Sequence, residues 1–305
     1  MKHIIGGLIL ACAVGTSALA TEIPSADVLD RIALPEQSAD GSKIRELSGL
    51  GWDGDEKLLY AVGDNGYLYH FKIDIVAERF VKVEPVYSSP IADSAGGILS
   101  WDLTNAEGLH VRNGANGVIE DSELIIAFED GPSIGRFTPK GQFIAEVKLP
   151  EILVDPSVYL TTNKRLESVS EMAPFGVLTA PEVHLTDEPD NFHSVFAMDG
   201  HRWRFPALQT DQDSVKAIDP LPDGRLLVLI RTRDPNTDEP QAHLRIVDLA
   251  HCGKDVVCPV AEVKVSDPKL IADDFEGMTS LGDGLYLIVT DTRHGGELVL
   301  LRLKI

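Results

Sequence analysis

The feature that most constrains this chain is a short motif that recurs five times at nearly even spacing. Each copy has an apolar or small residue, a polar residue, a small residue and an apolar residue. The polar position holds Ser48, Glu107, Glu167, Asp219 and Glu276, so successive copies lie 59, 60, 52 and 57 residues apart. Self-similarity at a fixed period of this order is typical of propellers and other repeat architectures. The motif therefore predicts five copies of one supersecondary unit.

Short apolar runs, separated by Gly, Asp, Asn and Pro, follow most copies of the motif and indicate antiparallel strands. Second strands are predicted at 58–66, 124–131, 226–234 and 285–292. Third strands are predicted at 67–73, 133–139, 243–249 and 297–303. Outer strands are predicted at 80–87, 142–150 and 259–265. The third unit fits this pattern only loosely, and it carries a long polar insertion at 179–194.

The last unit has no outer strand of its own, but residues 28–36 resemble the outer strand that begins at 144. A ring closed by this N-terminal strand would leave no exposed sheet edge. The expected fold is therefore all-β, a β-propeller of five blades whose last blade the N-terminal strand completes. A sixth blade within 85–105 or 175–200 stays open. A pair of β-sandwiches or a larger barrel would explain the strands but not the repeat.

The first 20 residues have the pattern of a signal peptide. Lys2 and His3 precede an apolar stretch at 4–15, and Ala18-Leu19-Ala20 is an A-x-A cleavage site. We expect residues 21–305 to form a single domain in the periplasm or outside the cell. Lipid attachment at Cys12 is the alternative. No other stretch is apolar for long enough to span a membrane.

Two further cysteines, Cys252 and Cys258, lie in a segment typical of a turn. In an oxidising compartment we expect them to form a disulfide. A reactive pair, or zinc ligation with the nearby His251, is the alternative.

The formal net charge of −21 excludes nucleic acid as a natural partner. The innermost strand of each propeller blade lines the central channel. The acids of the motif would then converge as a ring, and these are Glu46, Glu107, Glu167, Asp219 and Glu276. Carboxylates at close range cannot all stay ionised and unpaired, so such a ring binds a cation, pairs with Arg or Lys, or holds protons. Calcium or magnesium suits an all-oxygen site. Alternatively, each acid caps a tight turn.

A second polar set follows the second strands and contains Asp64, Glu129, Asp130, Arg231 and Asp291. Asp64 and Asp291 join the candidate metal ligands, although Asp64-Asn65-Gly66 is also typical of a plain hairpin turn. Glu129 and Asp130 are the candidate catalytic residues, as ligand or general base.

Basic residues near these acids are candidates for binding an anionic substrate, since an arginine fork suits phosphate and carboxylate groups. They are Arg231, which stands where other units have an acid, together with Arg136 and Lys216. Pairing with the acids of the ring is the alternative.

The motifs ELSGL, GDNG, NAEGL, AFED, RLESVS, DDFEGM and VTDT, spread from residue 46 to residue 292, resemble those of the phytase-like family, whose description is "esterase-like activity of phytase". The resemblance covers nearly the whole chain after the leader. It implies a propeller, export from the cell and hydrolysis of phosphate or other esters.

We therefore expect a metal-dependent hydrolase of small anionic esters that uses calcium or magnesium. One alternative is a non-catalytic propeller of the cell envelope, with 179–194 as a recognition loop. Another is a propeller-type sugar lactonase that holds one divalent ion at the channel mouth.

Overall fold

The computed structural model describes residues 23–99, 104–208, 213–253, 256–267 and 273–305. The predicted leader peptide, with Cys12, lies outside these residues. The described residues form five mostly antiparallel sheets, one for each copy of the sequence motif. The predicted five-bladed β-propeller is therefore confirmed.

The first strand, β1 (Ser25–Ala33), belongs to the last blade. Blade 1 comprises β2 (Leu47–Asp53), β3 (Leu58–Gly63), β4 (Tyr67–Val76) and β5 (Arg79–Pro90). Blade 2 comprises β6 (Ala106–Arg112), β7 (Glu123–Phe128), β8 (Ser133–Phe137) and β9 (Phe143–Val147). Blade 3 comprises β10 (Leu166–Met172), β11 (Gly176–Pro181), β12 (Phe192–Ala197) and β13 (Arg202–Pro206). Blade 4 comprises β14 (Ser214–Pro220), β15 (Leu226–Arg233), β16 (Pro240–Val247) and β17 (Val260–Glu262). Blade 5 adds β18 (Lys264–Val265), β19 (Phe275–Gly282), β20 (Leu285–Thr290) and β21 (Glu297–Lys304) to β1.

The ring closes through the N-terminal strand, as the sequence predicts. Strand β1 pairs antiparallel with β21, so the last strand of the sequence lies inside blade 5 and not at its edge. The short strand β18 pairs parallel with β1 on its other side. Closure therefore joins the two ends of the described chain through main-chain hydrogen bonds.

Neither stretch that could have held a sixth blade adds a further sheet among the described residues. Residues 85–90 lie in β5, and 175–200 contain β11 and β12 of blade 3. The expected insertion 179–194 has its ends in these two strands, which leaves a loop at 182–191 between them. Because this loop interrupts the hairpin, the third unit does not show the spacing of the other four.

Helical structure among the described residues is confined to α1 (Glu151–Val154) and to two single 3-10 turns, at Pro156–Val158 and Leu249–His251. None of these segments is long enough to cross a membrane. Cys252 and Cys258 form a disulfide, so the predicted pairing is confirmed.

Apolar side chains pack between neighbouring blades, with one hydrophobic cluster at each of the five interfaces. Around the central axis the inner strands come unusually close. A Cβ on Gly108 would lie 2.6 Å from the backbone nitrogen of Val169, and one on Gly49 would lie 2.8 Å from that of Leu109. The remaining space between these strands is only about 10 Å³, enough for about one water molecule. The channel is therefore nearly closed beneath the first polar residues of the inner strands.

Candidate functional site

The second residue of four inner strands and the third residue of β14 form a polar layer around the axis, which we call the inner layer. It consists of Ser48, Glu107, Glu167, Lys216 and Glu276, one from each blade. In every blade the pairing of the inner strand with the next one skips this residue, so each lies at a β-bulge. A bulge re-aims its side chain out of the regular pleat. The small residue that follows, such as Gly49 or Gly108, permits the close approach of the neighbouring strand.

The fourth member of this layer corrects the sequence prediction, which placed Asp219 there. In blade 4 the bulge falls between Val215 and Ala217, so Lys216 takes the position. Asp219 lies three residues further along β14, pairs with Leu227 and accepts a hydrogen bond from Ser280 N at 2.8 Å. Burial raises its pKa to about 7. The prediction of Asp219 as a ring ligand is wrong because two frames of β14 fit the motif, and only one carries an acid.

A second layer comes from the second strands. In each blade the inner-strand residue just before the bulge pairs with a residue of the second strand, and the next residue along the chain belongs to this layer. This outer layer consists of Asp64, Glu129, Glu182, Arg231 and Asp291. In four blades its backbone N–H donates to the carbonyl of the residue just before the inner strand, as from Asp64 to Glu46 and from Glu129 to Asn105. Glu182 was missed by sequence reasoning. Its signal was an acid directly after the apolar run of β11.

The two layers surround a cup of about 280 Å³ at one end of the central axis. Seven carboxylates and three cationic side chains are among its lining residues, which gives the lining a formal charge of −4. The complete lining is Asp64, Asn105, Glu107, Glu129, Asn163, Lys164, Glu167, Glu182, Lys216, Arg231, Glu276 and Asp291. The predicted convergence of acids is therefore present, with Glu182 added and with Asp219 and Glu46 outside it.

Lys216 pairs with three carboxylates on one side of the cup. Its Nζ donates to Glu167, lies 2.8 Å from Glu276 Oε1 and lies 3.6 Å from Glu182 Oε1. All four side chains are at least nine-tenths buried. Although burial opposes a buried ammonium, the three carboxylates outweigh it and raise the pKa of Lys216 well above its ordinary value.

Arg231 belongs to the same network. Its guanidinium donates to Asp274 Oδ1 at 3.0 Å, to Glu276 Oε1 at 2.8 Å and to Glu182 Oε1 at 3.2 Å. We call Glu167, Glu182, Lys216, Arg231 and Glu276 the paired cluster. Burial disfavours the charge on Glu276, but the two cations outweigh burial and lower its pKa. Arg231 and Lys216 are therefore held by acids of the protein, as the alternative in the sequence analysis had it.

The other four carboxylates of the cup make no ion pair with any residue in the described ranges, and we call them the unpaired cluster. Glu107, only 6 % exposed, has no hydrogen-bond partner there either. Asp64 accepts a hydrogen bond from Ser48 Oγ at 2.6 Å. Asp291 Oδ1 is buried and has no hydrogen-bond partner among the described residues. Glu129 accepts from Asn105 Nδ2 at 2.7 Å and from the backbone N–H of Arg165 at 3.0 Å.

All four members of the unpaired cluster are harder to ionise than ordinary carboxyl groups. Burial, helped by neighbouring carboxylates, raises the pKa of Asp64 to about 6. It raises the pKa values of Glu129 and Asp291 to about 7. Burial and the Glu167 carboxylate raise the pKa of Glu107. At neutral pH this cluster therefore holds protons or accepts a cation.

The carboxylate oxygens have a spacing that suits a metal ion. One oxygen each from Glu107, Glu167 and Glu276 lie within 4.8 Å of one another, and so do oxygens of Glu129, Glu167 and Glu182. Both groups consist of carboxylates alone, the donors that calcium and magnesium prefer. In both groups Glu167 also contacts Lys216, whereas Glu107 in the first group and Glu129 in the second make no ion pair with a described residue.

Besides Asp219, three predicted site residues do not line the cup. Asp130 follows Glu129 but is not part of the lining. Glu46, with φ of 51°, lies 3.4 Å from Arg45 in an ion pair, and its main chain bridges blades 1 and 5. Arg136 makes two hydrogen bonds to Glu123, at the opposite end of β7 from Glu129. Arg136 is therefore not positioned to bind an anion in the cup.

A groove of about 370 Å³ lies beside the cup. The two cavities are neighbours because Asp64 lines the cup and the next residue, Asn65, lines the groove. Its lining includes two cationic and two aromatic side chains, Lys43, Arg45, Tyr67 and Tyr69. The rings of Tyr67 and Tyr69 are stacked with centroids 6.0 Å apart. The mouth therefore has a positively charged side next to its acidic centre.

The segment Gly131–Gly135 (GPSIG) matches the pattern of the serine-hydrolase nucleophile elbow. That elbow requires a sharp turn from a strand into a helix. Here Ser133 begins β8 in a hairpin with β7, and it is not part of the cup lining. The match therefore does not mark a serine nucleophile in the cup.

Comparison with solved structures gives similarity to other propellers. The endo-arabinase from Bacteroides thetaiotaomicron VPI-5482 is similar with a TM-score of 0.50 and 14 % identity, over 90 % of this chain and 98 % of that one. The Dos1 propeller is also similar, with a TM-score of 0.39 and 10 % identity, over 86 % of this chain and 68 % of that one. So is U3-55K, with a TM-score of 0.43 and 10 % identity, over 90 % of this chain and 99 % of that one. At these identities the likeness to the endo-arabinase supports the fold alone.

No curated protein matches the chain. A family model, Phytase-like, described as "Esterase-like activity of phytase", matches residues 42–292. The matched segment contains every residue of the inner and outer layers. The resemblance of the sequence motifs is thereby confirmed, and the chain belongs to the phytase-like family.

Proposed function

We propose that this protein is an exported hydrolase of small esters, including phosphate esters, and that it works with a divalent cation in the cup. The observation that carries the proposal is the unpaired cluster. Four carboxyl groups face one cavity, make no ion pair with the described residues and have raised pKa values. Buried carboxyl groups kept without partners are a feature of functional sites more than of packing.

The cation would be calcium or magnesium, and Glu107 and Glu276 would hold it together with Asp64 and Asp291. The residues fit such an ion because, within the described part of the chain, Glu107 is buried without a partner and Asp291 has an unsatisfied buried oxygen. A bound divalent ion supplies polarisation of an ester or phosphoryl oxygen.

Glu129 is the proposed general base, with Asp291 as a second titrating group of similar pKa. The Asn105 amide and the Arg165 backbone N–H fix the Glu129 carboxylate at the wall of the cup. A base is most effective when its pKa lies near the working pH, and Glu129 has a pKa of about 7. Glu129 would accept a proton from the attacking water.

The substrate would be a small anionic ester whose reacting group enters the acidic cup. The basic residues that the sequence suggested for its anionic part are paired or remote, so the groove beside the cup takes this role. Lys43 and Arg45 supply positive charge there, and Tyr67 supplies an aromatic face. Periplasmic or extracellular location agrees with the disulfide, which persists in oxidising compartments.

The test is turnover of generic carboxyl esters and phosphate monoesters by chelator-treated protein, with and without added calcium or magnesium. We expect hydrolysis of at least one class, dependent on the added ion. Absence of turnover of both classes in the presence of either ion contradicts the proposal and favours a non-catalytic binding propeller. Turnover restricted to sugar lactones would favour the lactonase alternative.

A further inference from the structure

The inner layer contains one cationic side chain, Lys216. The carboxylates around its ammonium group resemble those around a bound metal ion. The Nζ atom of Lys216 contacts Glu167 and lies 2.8 Å from Glu276 and 3.6 Å from Glu182. The corresponding residue is an acid in three of the other blades and Ser48 in blade 1. One lysine thus stands within a ring of acids at a point where the chain is almost completely buried.

The three carboxylates around Lys216 also belong to the groups of oxygens with metal-site spacing. Glu167 is common to both groups, and each group adds one more partner of Lys216, Glu276 or Glu182. The ammonium therefore lies against three carboxylates, each of which belongs to at least one group with the spacing of a metal site. Glu107, 6 % exposed and without a described partner, faces the same cavity and supplies a further donor.

We infer that Lys216 is a tethered cation that occupies a second divalent-ion position of the cup, between Glu167, Glu182 and Glu276. In this inference, which rests on the proposed function for the first ion, Lys216 limits the protein to one ion, bound on the side of Glu107. Removing the ammonium while keeping the carboxylates would open a calcium site that the native chain lacks.

Charge supports this reading over one in which Lys216 serves packing alone. A buried ammonium is costly to desolvate, and a well-packed apolar side chain often serves stability as well as a buried ion pair does. Arg231 already neutralises Glu276 and Glu182 from the other side. Glu167 and Glu276 are bridged by Lys216 Nζ alone among the described groups, as a metal would bridge them.

The experiment compares calcium binding by chelator-treated wild type and Lys216→Met, using calorimetry and the calcium-induced shift in Tm. Methionine has a similar length and no charge. We expect Lys216→Met to bind one more calcium ion per chain than wild type and to gain a larger calcium-induced rise in Tm. The double variant Lys216→Met/Glu167→Gln is the matched control, because it loses one shared donor together with the cation. The double variant should bind no more calcium ions per chain than wild type.

Equal calcium stoichiometry and equal Tm shifts in wild type and Lys216→Met would overturn the inference. So would a Lys216→Met chain that stays unfolded in saturating calcium, because the ion should replace the lost charge. The proposed function is tested separately by the wild type. If wild type binds no calcium while Lys216→Met binds one ion, the inference holds and the metal-dependent hydrolase does not. If wild type binds calcium and the variant gains none, only the inference fails.

Discussion

The paired and unpaired clusters occupy the same two layers of the same ring, yet their electrostatics are opposite. Both are built from the bulged residue near the start of an inner strand and from a residue near or next to the end of a second strand. In blade 4 these two positions hold Lys216 and Arg231, and every ion pair among the described residues of the cup involves one of them. Asp64, Glu107, Glu129 and Asp291 face the same cavity without such partners. The two cationic residues of blade 4, Lys216 and Arg231, therefore divide the ring into a side with paired carboxylates and a side with unpaired ones.

The difference implies that equal substitutions on the two sides have opposite effects on stability. On the paired side a carboxylate such as Glu276 is an acceptor for two cations. Its loss leaves both cations buried without that acceptor. On the unpaired side a carboxylate adds repulsion that only a proton or an added cation relieves. The predictions below test this contrast.

The largest effect is expected from a matched pair in the inner layer, Glu276→Gln and Glu107→Gln. Breaking a buried ion pair by neutralising one partner costs about 3 to 5 kcal/mol, and Glu276 contacts both Lys216 and Arg231. Glu107→Gln removes repulsion and should raise the free energy of unfolding measured in chelator. Urea denaturation of the two variants and wild type measures this. Equal destabilisation by both variants would remove the distinction between the clusters.

A pH dependence of similar size follows from the raised pKa values. Glu129 has a pKa of about 7 in the folded chain against an ordinary value of 4.5, so the folded state binds more protons between these values. Its stabilising contribution is complete below about pH 4.5 and is lost as the pH rises through 7, and for a shift of this size it amounts to about 3 kcal/mol. In chelator, Tm should therefore fall between pH 5 and about pH 8.

Two controls belong to that pH series. Calcium should flatten the slope, since it stabilises the ionised carboxylates, and Glu129→Gln should reduce it by removing one titrating group. A Tm that stays level over the same interval in chelator would mean that the unpaired carboxyl groups ionise as readily in the folded chain as in the unfolded one, and a rising Tm would mean that they ionise more readily.

The effect on catalysis is tested with two consecutive acids, of which one lines the cup. Glu129→Gln should lower kcat for ester hydrolysis by about 100-fold, because general bases contribute roughly 10²- to 10⁴-fold. Asp130→Asn changes the neighbouring residue outside the cup and should stay within about threefold of wild type, as surface substitutions away from a site usually do. A larger loss in Asp130→Asn than in Glu129→Gln would reverse the assignment of the base.

The smallest effect on the cup is expected from Asp219→Asn. Asp219 accepts a hydrogen bond from Ser280 N away from both layers, so the asparagine side chain can keep that acceptor. Calcium binding should be unchanged within error, measured by calorimetry beside Glu107→Gln as the responsive variant. Loss of calcium binding in Asp219→Asn would support the alignment that the sequence suggested for blade 4, in which Asp219 belongs to the inner layer.

The repeat made the fold predictable from the sequence. The ion pairs of the cup were not predictable in this way. Five motif copies and the similarity of residues 28–36 to an outer strand were enough for five blades and for closure by β1. In β14, however, apolar and polar residues fit two frames three positions apart. The true frame is set by the bulge opposite β15, between Val215 and Ala217. Local sequence does not determine that pairing.

Other parts of the site were hidden for related reasons. Glu182 stands at the position of Glu129, but the loop 182–191 follows it, so the third unit did not align with the rest. The contacts of Arg231 with Asp274 and Glu276 join blades 4 and 5, between residues more than 40 positions apart. Residue types at single positions were therefore predictable, and their partners across blades were not.

The most direct test of the account is calcium titration of chelator-treated wild type at neutral pH, by calorimetry in two buffers of different ionisation enthalpy. The account predicts that calcium binds and releases protons, because the carboxyl groups of the unpaired cluster have raised pKa values, about 6 for Asp64 and about 7 for Glu129 and Asp291, and must ionise to ligate it. It predicts that Glu107→Gln loses this binding. No binding by wild type, or undiminished binding by Glu107→Gln, would contradict it.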